Sequence, residues 1–169
     1  MEITTILFFM NMLSGTGYSI FSPLFPSLAT KKGITETVIG LVISIFDLAN
    51  TFVTFFTPLL CIKFTRIKLL YVSTFCEATC TILYGIIGYY SNSFYLLIIL
   101  MLISRIIHGV SNGIIATLVY SLTISLAKES EQKKALAELE IGWCIGLALG
   151  PIIASIFYKI GGYPLPFFS

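Results

Sequence analysis

Acidic side chains inside apolar stretches are the first residues of this sequence that could do chemistry. Asp47 lies in an apolar run over about residues 34–62, and Glu77 lies in another over about residues 69–90. A carboxylate in mid-membrane costs about 3 kcal/mol where it meets lipid, so both should face the interior of a helix bundle. There an acid can attract a cation or exchange a proton. The alternative for each is a structural acid bonded to a neighbouring hydroxyl or amide.

A further apolar stretch, residues 94–126, carries Arg105 and His108. The two are three residues apart and therefore share one face of a helix. A guanidinium stays charged, so Arg105 needs a carboxylate or a backbone carbonyl as its partner, and Asp47, Glu77 and Glu140 are the candidates. His108 can relay protons or can be a hydrogen-bonded structural group, and both interpretations stay open.

The last apolar stretch combines a carboxylate with a row of glycines. Gly142, Gly146 and Gly150 stand four residues apart, Pro151 follows them, and Glu140 points nearly away from the row at 100° per residue. Such a row lets another helix backbone approach closely in lipid, and the Pro adds a bend point. The pattern predicts a helix with a packing face and a chemical face, in which the glycines serve either movement or ordinary packing.

The composition indicates which kind of element positions these residues. Hydrophobic residues make up 57% of the chain and charged residues 11%, against about 25% charged in soluble domains. The sequence predicts an all-α, polytopic membrane helix bundle that forms a single transmembrane domain over residues 1–169, with the lipid bilayer as its surroundings. About five transmembrane helices are expected, at residues 3–29, 34–62, 69–90, 94–126 and 136–157.

The same features argue against several function classes. A net charge of +2, with the basic residues confined to short loops, does not suggest nucleic-acid binding. The four cysteines lack a metal-ligand pattern, and Cys76 and Cys80 share a helix face without a His or a second Cys pair, so we expect packing and neither metal nor cofactor. An enzyme is the weakest interpretation, because His108 has no evident catalytic companions.

Loop charges predict the orientation in the membrane. Six basic residues follow the second and fourth segments, whereas three lie in the loops on the other side. Because Lys and Arg concentrate in cytoplasmic loops, the N-terminus is expected to be cytosolic. The chain should be an integral multi-pass protein, and the sequence does not distinguish the plasma membrane from a vesicle or organelle membrane.

The motif Arg105-x-x-His108-Gly109 resembles the Arg-x-x-Gln-Gly pattern of the major facilitator superfamily of transporters, with His108 at the Gln position. Gly150 and Pro151 match the start of the Gly-Pro-x-x-Gly-Gly pattern in that family's fifth span, and Ala and Ser replace its last two glycines. The turn over residues 60–66 keeps the charges of the family's basic turn but not its Asp and glycines.

More narrowly, the chain is similar to the vesicular amine and polyamine transporter branch. The stretches that carry this resemblance are FSPLFP (residues 21–26), KKG (31–33) and VIGL (38–41), together with Glu140 ten residues before Gly150. Members of that branch exchange organic cations for protons. The resemblance therefore implies proton-coupled movement of a small cation such as an amine or polyamine.

The family's architecture adds further expectations. Its twelve spans form two halves that hold substrate near the membrane midplane, and this chain supplies five spans of the N-terminal half. A missing C-terminal half or a second chain is thus an expected partner. The residues carried over from the family are Arg105, Glu140 and the glycine row, at which the family's helix pivots. Asp47 and Glu77 rest on the burial argument instead.

Two functional hypotheses result. The first is a secondary active transporter, or part of one, in which buried acids alternately hold substrate and protons. The second is a non-transporting membrane partner or regulatory half-transporter, whose glycine face binds another helix bundle.

Overall fold

The computed structural model describes residues 2–91 and 93–168, which form a bundle of five long α-helices. This confirms the predicted all-helical membrane fold class. The helices are α1 (Glu2–Lys31), α2 (Glu36–Lys63), α3 (Arg66–Tyr90), α4 (Phe94–Leu126) and α5 (Gln132–Gly161). Two short 3-10 turns, Glu129–Glu131 and Leu165–Phe167, precede and follow α5.

Four stretches among the described residues are long and apolar enough to cross a membrane: α2, α3, α4, and α5 together with the turn before it. α1 is 30 residues long, has small and polar residues such as Asn11 and Ser14 in its middle, and is not one of these four stretches. α5 begins at Gln132, one turn before the predicted start at residue 136, because the end of the charged segment between α4 and α5 (residues 128–134) is part of the helix. The limits of the spans within the bilayer stay a prediction.

The glycine row of α5 holds α1 and α5 together. Gly142, Gly146 and Gly150 are buried and face α1. A methyl group at Gly146 would overlap the backbone carbonyl of Met12 and would lie 2.9 Å from the amide nitrogen of Thr16. The row is therefore occupied by α1 of the same chain. The prediction that its face binds a separate helix bundle was wrong, because the contact is already made internally.

A second glycine pair performs the same task between α2 and α4. A methyl group at Gly109 would overlap the carbonyl of Phe46, and one at Gly113 would lie 2.7 Å from the carbonyl oxygen of Asn50. The four-residue spacing of Gly109 and Gly113 is visible in the sequence, and its packing role was missed. These two close contacts bring the middle of α4 to the centre of the bundle, between α2 and α3.

The chain turns back onto the bundle after α5. Gly162 has a φ of 73°, a left-handed conformation that suits glycine and ends the helix. Tyr163 and Phe167 are then buried, and the Phe167 ring lies 6.1 Å from that of Tyr84 in α3. The last described residues thus pack on α3 and α1 beside the centre of the bundle.

Candidate proton and cation site

The structure brings Glu77 of α3 and His108 of α4 together at the centre of the bundle. His108 Nε2 lies 3.4 Å from Glu77 Oε1. His108 is 0% exposed and Glu77 is 8% exposed. Because a buried charge is expensive in a membrane, such a pair persists only where each member stabilises the other.

Three further side chains complete the hydrogen bonds of this pair. The Ser14 hydroxyl donates to Glu77 Oε1 at 2.6 Å, and Asn112 Nδ2 donates to the same oxygen at 3.1 Å. On the other side, the Tyr84 hydroxyl lies 2.9 Å from His108 Nδ1. We name these five residues the central network. When Nδ1 accepts the hydrogen of Tyr84, Nε2 carries a proton and faces the carboxylate, so the contact can hold or pass a proton.

The central network reaches α2 through an amide pair. Asn50 Nδ2 donates to Asn112 Oδ1 at 2.9 Å, and Asn112 Nδ2 also donates to the Ser14 hydroxyl at 2.8 Å. Four helices therefore meet in one set of hydrogen bonds. A change of protonation at Glu77 would alter hydrogen bonds that reach α1, α2 and α4, because buried polar groups need partners in every protonation state.

Arg105 lies one turn before His108 and is 1% exposed. Its guanidinium carbon stands 4.1 Å from the ring centre of Phe21 and 4.7 Å from that of Phe46. The rings of Tyr18 and Tyr84 lie 5.7 and 5.8 Å away. Four aromatic rings from α1, α2 and α3 thus surround one cation, an arrangement that stabilises charge through the ring faces.

This surrounding differs from the expected one. Arg105 forms no salt bridge with Asp47, Glu77 or Glu140, and its Nε and Nη1 have no hydrogen-bond partner within residues 2–91 and 93–168. The predicted partner, a carboxylate or a backbone carbonyl, is found for neither Nε nor Nη1 among these residues, and aromatic faces surround the guanidinium instead. Spacing along α4 alone gave no sign of rings contributed by three other helices.

Asp47 is exposed on the surface of α2 and does not enter the central network. The prediction that it faces the interior of the bundle was wrong for this chain, since Ser44, Asp47, Thr51 and Thr54 share an exposed face. Glu140 is exposed as well, and its Oε1 accepts a hydrogen bond from the Tyr120 hydroxyl at 2.8 Å. Pro151 is exposed on α5.

A cavity of about 470 Å³ lies between α1 and α3 beside the central network. Glu77 and Ser14 line it, as do residues 166–168 of the C-terminal turn. Among the described residues, no group of three or more His, Cys, Asp and Glu could hold a metal ion. The site is thus a buried acid and imidazole next to open space.

Four residues of the site, Ser14, Asn50, Tyr84 and Asn112, were not among the candidate site residues predicted from the sequence. Tyr84 is seven residues after Glu77 and thus on the same face of α3, a periodicity that could have indicated it. For Asn50 the signal is weaker, because a single amide in an apolar helix also serves packing.

Comparison with known proteins decides the family. The chain matches the Major Facilitator Superfamily over residues 7–169, nearly its whole length. The chain belongs to the major facilitator superfamily. It is therefore an integral, multi-pass membrane protein of a family of transporters.

Comparison with two relatives shows how much of the length of such a protein this chain spans. The chain is 27% identical over 157 residues to the human MFS-type transporter SLC18B1, covering 93% of this chain and 34% of that protein. It is 25% identical over 158 residues to the mouse MFS-type transporter SLC18B1, covering 94% of this chain and 34% of the relative. The chain thus spans about a third of the length of the relatives it matches.

Proposed function

We propose that this chain forms part of a proton-coupled secondary transporter for a small organic cation, such as an amine or polyamine. The observation that carries the proposal is the buried contact between Glu77 and His108, whose facing atoms are 3.4 Å apart. Membership of a transporter superfamily supports the coarser part of the proposal. The finer part, proton coupling and a cationic substrate, rests on the chemistry of this pair.

The Glu77–His108 pair suits proton coupling because Glu77 has hydrogen-bond partners both when it is ionised and when it is protonated. When Glu77 is ionised, it accepts hydrogen bonds from Ser14, Asn112 and His108. When Glu77 is protonated, its hydroxyl becomes a donor and the Ser14 hydroxyl can accept. Nε2 of a neutral His108 can also accept once the ring proton is on Nδ1 and Tyr84 donates to the Ser104 carbonyl instead. A carboxyl group that keeps its partners in both states can load and release a proton without unfolding its surroundings.

A cationic substrate is supported by the charges inside the apolar helices. Asp47, Glu77 and Glu140 are acidic, whereas the Arg105 side chain is 1% exposed and its guanidinium is enclosed by aromatic rings. The resemblance to the vesicular amine and polyamine branch points to the same class. Proton exchange would keep the charge of the buried site constant when a cation replaces a proton.

The proposal includes a partner bundle. Asp47 and Glu140 are exposed in the five-helix bundle, and charged groups at membrane depth that meet lipid cost about 3 kcal/mol each. A C-terminal half or a second chain that covers this face would remove that cost. The contact of α1 and α5 along the glycine row would then be the place at which the helices pivot during transport.

Uptake by proteoliposomes tests the proposal. The assembly that contains this chain is isolated in mild detergent, reconstituted, and given a pH gradient in the presence of radiolabelled amines and polyamines. We expect uptake that collapses with the gradient and falls below about a tenth in Glu77→Gln, because an amide cannot exchange the proton. Glu140→Gln tests the residue carried over from the family in the same way. Gradient-independent flux, or no uptake at all, would overturn the proposal.

A second function, a non-transporting half that binds another helix bundle, is favoured by the same exposed carboxylates. Its contact surface would be the Asp47 face of α2, since the glycine row is covered by α1. Cysteine crosslinking from Leu48→Cys to a partner, together with no flux after reconstitution, would favour this function over transport.

A further inference from the structure

We infer that Tyr84 is a positioning residue for the protons of His108. Its hydroxyl donates to Nδ1 when that nitrogen carries no proton and accepts from Nδ1 when it does, and the turn after α5 holds the Tyr84 ring in place. The inference deepens the proposed function, on which it rests for the assumption that the Glu77–His108 pair loads a proton. It concerns the side of the imidazole that faces away from the carboxylate.

The Tyr84 hydroxyl lies beside two acceptors on α4. Its oxygen is 2.9 Å from His108 Nδ1 and 3.4 Å from the backbone oxygen of Ser104. A phenol has one hydrogen to donate, and its oxygen can accept a hydrogen bond as well. The hydroxyl can therefore donate to Nδ1, or it can donate to the Ser104 carbonyl and accept a hydrogen bond from a protonated Nδ1.

These two arrangements match two proton loads of the Glu77–His108 pair. With Glu77 ionised, Nε2 of His108 carries the ring proton and Nδ1 accepts from Tyr84. A proton taken up by the imidazole leaves Nδ1 protonated, whether Nε2 keeps its own hydrogen or passes it to Glu77 Oε1. Tyr84 then accepts from Nδ1 and donates to the Ser104 carbonyl, so no donor of this set loses its partner.

The ring of Tyr84 is packed so that only its hydroxyl hydrogen needs to move. Tyr84 is 0% exposed, and the rings of Phe21 on α1 and Phe167 in the C-terminal turn lie 4.7 and 6.1 Å from its own. Close packing resists the movement of a whole aromatic ring. Rotation of a hydroxyl hydrogen shifts no heavy atom, so it is possible inside the packed bundle.

Two glycines of α3 seat the C-terminal turn beside Tyr84. A methyl group at Gly88 would overlap the ring of Tyr163, and one at Gly85 would lie 3.1 Å from the Cβ atom of Phe167. Because neither glycine has a side chain, the turn packs directly on the backbone of α3. The turn therefore reaches the helix position next to Tyr84 and supports its ring.

The other groups around the imidazole leave Nδ1 to Tyr84. Glu77 of α3 faces Nε2, the uncharged ring of Phe46 on α2 packs at 5.0 Å, and α1 contributes the uncharged Ser14 to the pair. Arg105, one turn earlier on α4, is charged but enclosed by aromatic rings. A change at the Tyr84 hydroxyl should therefore act on Nδ1 before it acts on any other group of the site.

Nitrogen-15 NMR of the imidazole tests the inference, because His108 is the single histidine of the sequence and selective labelling gives one pair of ring signals. The whole chain, with a purification tag that lacks histidine, is placed in lipid nanodiscs and measured over a series of pH values. In the wild type, Nδ1 should gain a proton as the pH falls. Tyr84→Phe keeps the ring but removes two hydrogen bonds from the protonated form and one from the unprotonated form. We expect its Nδ1 to bind the proton about tenfold more weakly, so that it is protonated about one pH unit lower.

Tyr163→Phe is the matched control. Tyr163 is buried in the same aromatic cluster, and its hydroxyl has no hydrogen-bond partner within residues 2–91 and 93–168, so both ring signals should stay as in the wild type. Gly88→Ala pushes the turn away from α3 and changes no side chain of the central network. It should shift the protonation of Nδ1 in the same direction as Tyr84→Phe, and it provides a second test should that variant fold poorly.

Three results would overturn the inference. They are equal titration of Tyr84→Phe and Tyr163→Phe, a Gly88→Ala spectrum like that of the wild type, and a wild-type Nδ1 that stays unprotonated until the chain unfolds. Proton-driven uptake together with equal titration of the two tyrosine variants would refute the role of Tyr84 and leave the proposed function standing. The expected spectra without any uptake would support the role of Tyr84 and refute transport.

Discussion

His108 shows how a single residue can be both a structural group and a chemical one. Its ring bonds Tyr84 through Nδ1 and Glu77 through Nε2, and the Phe46 ring packs against it at 5.0 Å. A side chain that satisfies two buried partners contributes to stability in any protonation state. Proton relay and structural support are therefore not exclusive for this residue.

Substitution of His108 separates the two contributions. His108→Gln can donate to Glu77 and accept from Tyr84, so we expect the free energy of unfolding to change by less than about 1 kcal/mol. His108→Leu leaves two buried groups each short of a partner and should cost about 2–4 kcal/mol. The fluorescence of Trp143, the one tryptophan of the sequence, reports unfolding in a denaturing-detergent titration. Equal losses in both variants would contradict this account of the network.

At the scale of single residues, the sequence indicated which residues could belong to the site but not which side chains they contact. Glu77, Arg105 and His108 were identified because ionisable groups are rare in apolar helices. The contact between Glu77 and His108 joins two helices, and no spacing along one helix encodes it. Asp47 had the same one-dimensional signature as Glu77 but lies on the outer face of α2, because the faces of a helix are assigned only by its neighbours.

The helices of this bundle are held close by two glycine contacts. Gly142, Gly146 and Gly150 admit the backbone of α1, and Gly109 and Gly113 admit that of α2. Close approach of backbones strengthens dispersion contacts that lipid cannot replace. It also brings Ser14 of α1 and Asn112 of α4 within reach of Glu77, so the packing of the elements creates the network.

Adding one methyl group tests this contact. Gly146→Ala should lower the free energy of unfolding by about 1–3 kcal/mol, since the methyl group would overlap the Met12 carbonyl and α5 must move away from α1. Gly40→Ala is the control, because nothing lies within 4 Å of the added methyl group on α2. That variant should be neutral or stabilising by about 0.5–1 kcal/mol. A stabilising Gly146→Ala, measured by the same detergent titration, would show that the contact is looser than described.

The five helices were easier to predict from the sequence than the contacts between them. Apolar runs bounded by charged or turn-forming residues indicated five helices, and glycine spacing indicated a close contact on α5. The identity of the helix that fills the contact was not predictable, since any backbone fits a row of glycines. Residues 128–134 were interpreted as a solvated, partly helical loop because of their charges. Residues 132–134 belong to α5, since charged residues can also extend a helix beyond the lipid.

At the scale of the whole molecule, the bundle has two different polar sides. On one, Asp47 and Glu140 are exposed beside the aromatic rings of Tyr18 and Trp143, which lie 6.0 Å apart. On the other, the cavity between α1 and α3 leads to Glu77. The first side suits a partner bundle, and the central network and the enclosed Arg105 are buried inside the bundle.

Proton release on cation binding tests the central claim most directly, because it needs no flux and no second bundle. Propylammonium is titrated into the chain in nanodiscs in two buffers of different ionisation enthalpy, at a series of pH values. Competition for Glu77 predicts the release of about one proton per bound cation, and an affinity that rises with pH while the amine stays protonated. In Glu77→Gln the proton release should vanish. Binding without proton release in the wild-type chain, or undiminished release in Glu77→Gln, would contradict the claim.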